Sequence, residues 1–288
     1  MGFSRFIWKI LEDCCPDKMY LSLLFKKRLG YKMDWKDPQT FNQKLQWMKI
    51  YYHNPKMTEY ADKYAVRKHI EELFGEKYLI ELLGAYDNVE EIDFEALPNQ
   101  FVLKCNHGAG FNIICKDKSE FDIEGAKKKL DKWMKTDFYK IKREYHYKDI
   151  PKKIICERFM KDTETEELND YKFFCIGGEV RMIQVDFDRY ANHKRNIYDK
   201  NWNLLDVQIS FPNDKNRKCD KPEDLEKMIE IAEKLSKEFP QVRVDLFYIN
   251  HNIYIGEMTF FSGAGFSKYN PAAFERELGK LLKLPKAE

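Results

Sequence analysis

The sequence predicts an α+β protein with antiparallel sheets, and three observations carry that expectation. Up to about residue 98 the chain reads mainly helical. From about residue 100 strand-like and helix-like stretches interleave. The strands come in pairs joined by tight glycine or polar turns, which marks hairpins rather than parallel crossovers.

The elements follow in order. Phe3, Phe6, Ile7, Ile10, Leu11 and Cys14 recur at helical spacing, so the chain opens on an amphipathic helix expected to pack into the core; the other use of such a stripe is contact with a membrane interface. DPQTFNQKLQWMKIYYH starts with turn chemistry and continues with helix formers, and TEYADKYAVRKHIEELFG keeps helical periodicity up to a stop at Gly75. YLIELLGAYDNVEEIDFEAL reads as a short strand and a loop-rich connection ending at Pro98. QFVLKCNHGAGFNIICK is strand, glycine turn, strand. A charged helix, SEFDIEGAKKKLDKWMK, follows with Ser119 as its expected cap, then the strand KKIICERFM and the polar loop KDTETEELND. YKFFCIGGEVRMIQVDFDRY is a hairpin turning at Gly177-Gly178, and KPEDLEKMIEIAEKLSKEF an amphipathic helix. RVDLFYINHNIYIGEMTFFSGAG closes the series as a second hairpin about NHN.

Composition narrows the function classes. The 288 residues are 43% hydrophobic and 34% charged, an ordinary globular balance with length for two or three subdomains. Lys plus Arg is 50 against 48 Asp plus Glu, so no nucleic-acid partner is expected, and GAKKKLDKWMK reads as a solvated helix face. No run of about 18 apolar residues is present, so no membrane span is expected, and nothing at the start resembles an export leader. The seven cysteines form no CxxC pair and mostly sit in apolar runs, as reduced thiols do in a cytoplasmic protein. His69 and His146 read as surface residues, and no His/Cys spacing suits zinc.

Two stretches carry chemistry. With NHN as a three-residue loop, Ile249 faces Ile253, Asp245 lies across from Glu257, and Arg243 from Thr259, all on one face with Phe247 and Ile255. A two-residue turn breaks this register unless a bulge restores it. Like charges directly opposite are destabilising, and a hard divalent cation resolves the conflict because Mg2+ takes carboxylate oxygens and shares them with phosphates. The second stretch places Lys104 in an apolar strand just before His107-Gly108-Ala109-Gly110. Small residues there let backbone N–H groups approach phosphate oxygens, with the lysine as a point charge. A plain hairpin turn uses the same glycines, and the surroundings are neither a P-loop nor a dinucleotide fingerprint.

A Gly-rich hairpin with a strand lysine, then CERFM, then R-x-D and E-x-T on facing strands, resembles the ATP-grasp superfamily over residues 100–266. TFNQKLQWMKIYYHNPKMTEYADKYAVRKHI and IYIGEMTFFSGAGF are similar to the N- and C-terminal signatures of its TupA-like group, found with surface-polysaccharide and teichuronopeptide genes. The resemblance implies an ATP-grasp fold: a mainly helical region (1–98), then a lid subdomain (99–160) and a C-terminal catalytic subdomain (161–288), two α+β units with antiparallel sheets gripping ATP. It implies that Lys104 contacts the α/β-phosphates under the loop His107 to Gly110, and that Glu157, Arg158, Phe159 and Met160 form the hinge that meets adenine. Asp162 or Glu164 binds the ribose, the spacing not choosing between them. Lys172 is a second phosphate-side cation, and Asp245 and Glu257 hold Mg2+, with Glu257 bridging two ions and Mn2+ the alternative. Thr259 stands where many relatives carry Asn, its hydroxyl being the weaker neutral ligand, and Arg243 steadies the transferring phosphoryl group.

The implied activity is an ATP-dependent carboxylate–amine ligase working through an acylphosphate, its partners a small-molecule or sugar-linked carboxylate and an amine, in capsule or cell-surface polysaccharide synthesis. Two other readings use the same residues. A sugar kinase could take Asp186 or Asp188 as base, and a glycosyltransferase could use the same DFD as a metal motif.

Overall fold

The computed structural model describes residues 2–162, 170–187, 193–217 and 219–287, with the side chains of residues 2–6 outside that description. Five helices come first: α1 (Gly2–Cys14), α2 (Asp17–Leu29), α3 (Phe41–Tyr51), α4 (Lys56–Ala61) and α5 (Val66–Phe74). The Thr40 hydroxyl accepts the Gln43 amide while the Gln43 side chain accepts the Thr40 amide, a reciprocal cap that starts α3 and drives Phe41, Leu45 and Met48 into the core. The N-terminal stripe packs only in part: Leu11 and Trp8 sit against the α2 cluster, whereas Ile7 and Ile10 are 42% and 47% exposed.

The single helix expected over TEYADKYAVRKHIEELFG is two. It breaks after Ala61 because the Asp62 carboxylate accepts the Tyr64 and Ala65 amides at 2.8 and 3.2 Å, an alternative to helical pairing. That break turns Lys63 out of the helix line and toward the centre of the molecule.

The first sheet has strand order β1-β4-β2-β3, from β1 (Leu82–Tyr86), β2 (Phe101–Cys105), β3 (Asn112–Cys115) and β4 (Ile154–Arg158), every pairing antiparallel. Helix α6 (Ile123–Met134) buries Leu130 with Phe101, Leu103, Cys105, Ile154 and Cys156, and the short α7 (Phe138–Lys142) follows. The cap of α6 is Asp122, whose carboxylate accepts the Gly125 amide at 2.8 Å, rather than Ser119, which bonds Asp117 one turn earlier.

The second sheet runs β10-β9-β5-β6-β7, again wholly antiparallel: β5 (Asp170–Ile176), β6 (Glu179–Phe187), β7 (Lys194–Tyr198), β9 (Gln241–Ile249) and β10 (Asn252–Thr259). A two-stranded ribbon pairs β8 (Gln208–Ile209) with β11 (Tyr269–Asn270), ahead of α9 (Ala272–Leu281). Helix α8 (Leu225–Ser236) covers one face through Met228, Ile231, Ala232 and Leu235. The expected turn at Gly177-Gly178 is present, with φ of 65° and 78° that glycine adopts freely. The uncovered face is polar, and the cavity lies there. Among the described residues no helix is long and apolar enough to cross a membrane.

Candidate active site

The hairpin β9–β10 sets the geometry. Its turn has two residues, Asn250 and His251, both left-handed at φ 47° and 60°, so Asn252 pairs with Ile249 and Ile253 with Tyr248. The expected three-residue loop and the Ile249–Ile253 pairing are therefore corrected: the left-handed pair matches the twist of the flanking strands. A bulge at Gly256 then restores the register, with Ile255 opposite Leu246, Glu257 opposite Asp245 and Thr259 opposite Arg243. The bulge also moves Ile255 off the acidic face and into the core, where it is 4% exposed. A Cβ on Gly256 would lie 2.8 Å from Phe247 Cε2 and 3.1 Å from the Asp245 carbonyl oxygen, so the bulge fits glycine.

Arg243, Asp245 and Phe247 alternate onto one face of β9, and Arg243 holds the acidic centre together. It donates Nε and Nη2 to the two Asp245 oxygens at 2.6 Å each, and Nη2 also to Thr259 Oγ1 at 3.0 Å and Glu257 Oε1 at 3.5 Å. Burial pushes the Asp245 carboxyl up, to about 6, against Arg243 and Lys172. Glu257 goes the other way. Burial works to raise it, but Lys63 and Arg243 outweigh that and hold it at about 2.

Lys172 on β5 lies under this centre, ion-paired to Asp170 and 3.7 and 3.8 Å from Asp186 and Asp245. It is buried among carboxylates on the cavity wall. Asp186 is fully engaged: Arg195 at 2.6 Å, His193 at 3.0 Å and Gln184 at 2.9 Å all converge on it. Burial alone would raise Asp186, yet Arg195 and Lys172 hold it well below the usual carboxylate range.

On the other sheet Lys104 Nζ contacts Glu157 Oε2 at 2.5 Å, and Arg67 of α5 reaches the other oxygen at 3.2 Å. Glu157 thus faces cations rather than a base, Arg158 pairs with Glu81, and Phe159 and Met160 are half-buried just past β4; none of the four lines the cavity. The glycine turn also differs from its expected form. His107 is buried, not poised over the cavity: its Nε2 bonds the Trp133 carbonyl at 3.1 Å, and burial lowers its pKa to about 4. Gly108 is buried beside it, Ala109 and Gly110 are exposed, and Gly110 lines the cavity. Asp162 accepts the Asn250 amide at 3.0 Å, at the tip of the β9–β10 hairpin. Glu164 and Asp188 lie outside the described residues. His146, expected at the surface, is buried against Phe260 and Phe261, because its short helical turn packs under the end of β10.

Lys63 is the residue that sequence reasoning missed. Its ammonium donates to the Gly108 carbonyl at 2.7 Å and pairs with Glu257 Oε2 at 3.2 Å, joining the glycine turn to the acidic centre. Neighbouring Asp62 accepts from Asn106 Nδ2 at 2.8 Å, and Arg67, four residues on, holds Glu157. The signal available was that Lys63 and Arg67 share a helical face in ADKYAVR, with an aspartate able to break the helix just before. A cavity of about 600 Å³ collects Lys63, Lys104 and Lys172 with Arg243, Asp245 and Glu257 between the two sheets.

Residues 43–283 match the model of the family described as TupA-like ATPgrasp. Among solved structures the chain is similar to D-alanine–D-alanine ligase from Bacillus anthracis complexed with ATP, at 14% identity and TM-score 0.42, covering 70% of this chain and 54% of that one. It is also similar to the D-alanine–D-alanine ligase of Helicobacter pylori, at 15% identity and TM-score 0.39, covering 78% and 61%. A third is N5-carboxyaminoimidazole synthase from Aspergillus clavatus with ADP and its ribonucleotide, at 14% identity and TM-score 0.41, covering 70% and 44%. The chain thus spans 44% to 61% of the length of these proteins. No curated protein matches. With five sixths of its length inside the family match, this chain belongs to the TupA-like ATP-grasp family.

Proposed function

We propose that the chain is an ATP-dependent carboxylate–amine ligase that forms an amide through an acylphosphate, acting in the cytoplasm on a carboxylate of a capsular or cell-surface saccharide, with a uronic acid as its bearer. One observation carries this reading: Asp245 and Glu257 face each other on adjacent strands in a cavity where Lys63, Lys104, Lys172 and Arg243 converge. With Arg195, Asp170 and Asp186 also on the wall, the cavity holds five cations and four carboxylates, a mixture that suits a triphosphate and its metal.

The donor set fits Mg2+. Asp245, Glu257 and the Thr259 hydroxyl offer only oxygen, and Glu257 is charged at neutral pH. A bound pair of ions, with Mn2+ as a substitute, would neutralise charge on the phosphoryl group being transferred. Lys63 and Arg243, which hold these acids here, then turn to the phosphate side, where Arg243 steadies the transferring group. Lys104 and the amide of Gly110, the turn residue on the cavity wall, hold the chain of phosphates. Lys172 keeps Asp170, Asp186 and Asp245 compatible with a polyanion nearby. Phe159 and Met160 meet the adenine, and Asp162, or Glu164, the ribose. The acceptor carboxylate oxygen attacks the γ-phosphorus and ADP leaves; the amine nitrogen then attacks the acyl carbon, phosphate leaves, and the amine proton passes to solvent. No protein nucleophile is required.

Asp186 is poorly suited to serve as base in the kinase reading or as metal ligand in the glycosyltransferase reading; Asp188, the other candidate, lies outside the described residues. A carboxylate already bonded to Arg195, His193 and Gln184 has little capacity left to act as base or metal ligand. Phosphorus NMR of Mg-ATP with pools of uronic acids, amino acids, amines and sugar nucleotides tests the reading. ADP and free phosphate appearing only when a carboxylate and an amine are both present is the expected result. A new phosphomonoester makes the protein a kinase, and untouched ATP beside a consumed sugar nucleotide overturns the ATP site altogether.

A further inference from the structure

A second cavity, of about 300 Å³, lies behind the active site and shares Gly263 with it. Its walls combine two chemistries. Trp8, Tyr20 and Phe266 supply aromatic surface, and Lys27, Arg28 and Lys142 supply positive charge. Among the described residues none of these three cations is within 4 Å of a carboxylate. The Lys27 ammonium lies 3.7 Å from the centre of the Trp8 ring, so cation and ring form one surface. Glu12, the acidic member of the lining, is paired with Lys9 at 3.0 Å.

The pocket is held in shape by a buried cation. Arg143 donates to the Glu12 and Cys15 carbonyls at 2.7 and 3.3 Å, pairs with Asp17 at 2.6 Å and stacks 4.3 Å from the Tyr20 ring centre, tying α1, α2 and α7 together. The floor that separates the two cavities is equally fixed. Ala264 O accepts from Lys49 Nζ at 2.8 Å and Gln46 Nε2 at 2.9 Å, and Gly265 O from the same amide at 2.8 Å. Gly263 itself is left-handed and exposed, and a Cβ there would meet Ser267 Oγ at 2.2 Å. Gly263, on the wall of both cavities, marks where they meet.

We propose that this pocket binds a second ring of a carboxylated saccharide acceptor, so that the substrate is an oligomer of uronate type and not a lone monosaccharide. Aromatic faces pack against the apolar face of a pyranose, and free cations recognise ring carboxylates. The inference rests on the ligase reading for the fate of the first carboxylate, but the binding it predicts does not depend on ATP. The probe is trigalacturonate, titrated calorimetrically without nucleotide, with maltotriose as the neutral match and glucose 6-phosphate as an anionic sugar whose charge comes from phosphate.

Trigalacturonate is expected to bind and maltotriose not. Lys27→Glu with Arg28→Glu, both on the exposed side of α2, should weaken trigalacturonate by about tenfold or more, as for lost charge-assisted contacts. Trp8→Ala should weaken it with the charges intact, and melting temperature serves as the fold control. Wild-type protein that ignores trigalacturonate, binds maltotriose equally, prefers glucose 6-phosphate, or keeps full affinity after the charge reversal overturns the proposal. A separate titration with a non-hydrolysable ATP analogue keeps the two claims apart. Saccharide binding without nucleotide binding would sink the ligase and leave the saccharide pocket standing.

Discussion

The two hairpins that face the cavity differ in where their chemistry sits. In β9–β10 the polar groups are inside paired strands, where the pleat and one bulge decide that Arg243, Asp245, Glu257 and Thr259 share a side. In β2–β3, apart from Lys104 and Asn112, they are in the turn, and neighbours decide: Phe111 stacks on Trp133 of α6 at 5.2 Å between ring centres, the Trp133 carbonyl takes His107, and of residues 107–110 Gly110 lines the cavity wall. Strand chemistry is local, and turn chemistry is tertiary. Lys63 touches both hairpins and so couples the two kinds.

Glu257 is the sharpest place to break the comparison. Glu257→Gln should lower ATP turnover by roughly 10³-fold, since it removes charge at the acidic centre, and Lys104→Ala by roughly 10²–10³-fold. ADP release gives the rates and near-UV circular dichroism the fold. A variant of normal rate removes that residue from the site.

Lys63→Ala comes next, at about 10²-fold in turnover, because it takes from Glu257 the nearer of its two cations and frees the Gly108 carbonyl together. Limited proteolysis should then cut the turn at residues 107–110 faster than in wild type. Unchanged cleavage would separate the hairpins.

Gly256→Ala tests whether the bulge sets the register. The added methyl meets Phe247 and the Asp245 carbonyl, and should cost about 1–3 kcal/mol by urea unfolding. Gly178→Ala in the β5–β6 turn, far from the acids, should cost about 1 kcal/mol and leave turnover intact.

The last test concerns the two buried histidines, His107 in the β2–β3 turn and His146 under the end of β10. His146 has no partner for either ring nitrogen among the described residues, and burial lowers it to about 3; His107 is lowered to about 4. Both are neutral in the folded protein, and the unfolded chain takes up their protons below about 6.5. Stability is therefore lost as pH falls from 6.5 toward those values, at up to about 1.4 kcal/mol per pH unit for each group. His146→Phe should flatten that slope in urea titrations between pH 7 and 5. The depressed Glu257 adds a loss only lower, from about 4.5 toward 2. A slope unchanged in His146→Phe would place the acid sensitivity elsewhere.

Most of the fold was legible because its signals are short-range: period-two alternation in the hairpins, Gly177-Gly178 at one turn, helical stripes in α3 and α8. The Asp245–Glu257 pairing was legible too, though by a route that cancelled, since the two-residue turn shifts the register and Gly256 shifts it back. Lys63 and Arg67 were not, because nothing near them in sequence says which distant carboxylates they meet. His146 was missed for the same reason: burial under Phe260 and Phe261 is a contact across more than a hundred residues. The second cavity joins α1, α2, α7 and the turn after β10, and no window of sequence contains it.

The most direct test is a Mn2+ titration by electron paramagnetic resonance, with a non-hydrolysable ATP analogue, on wild type and Glu257→Gln. The account predicts nucleotide-dependent Mn2+ binding that weakens by about tenfold or more in the variant. Equal Mn2+ affinity in both proteins would contradict it, because the facing carboxylates would then not hold the metal.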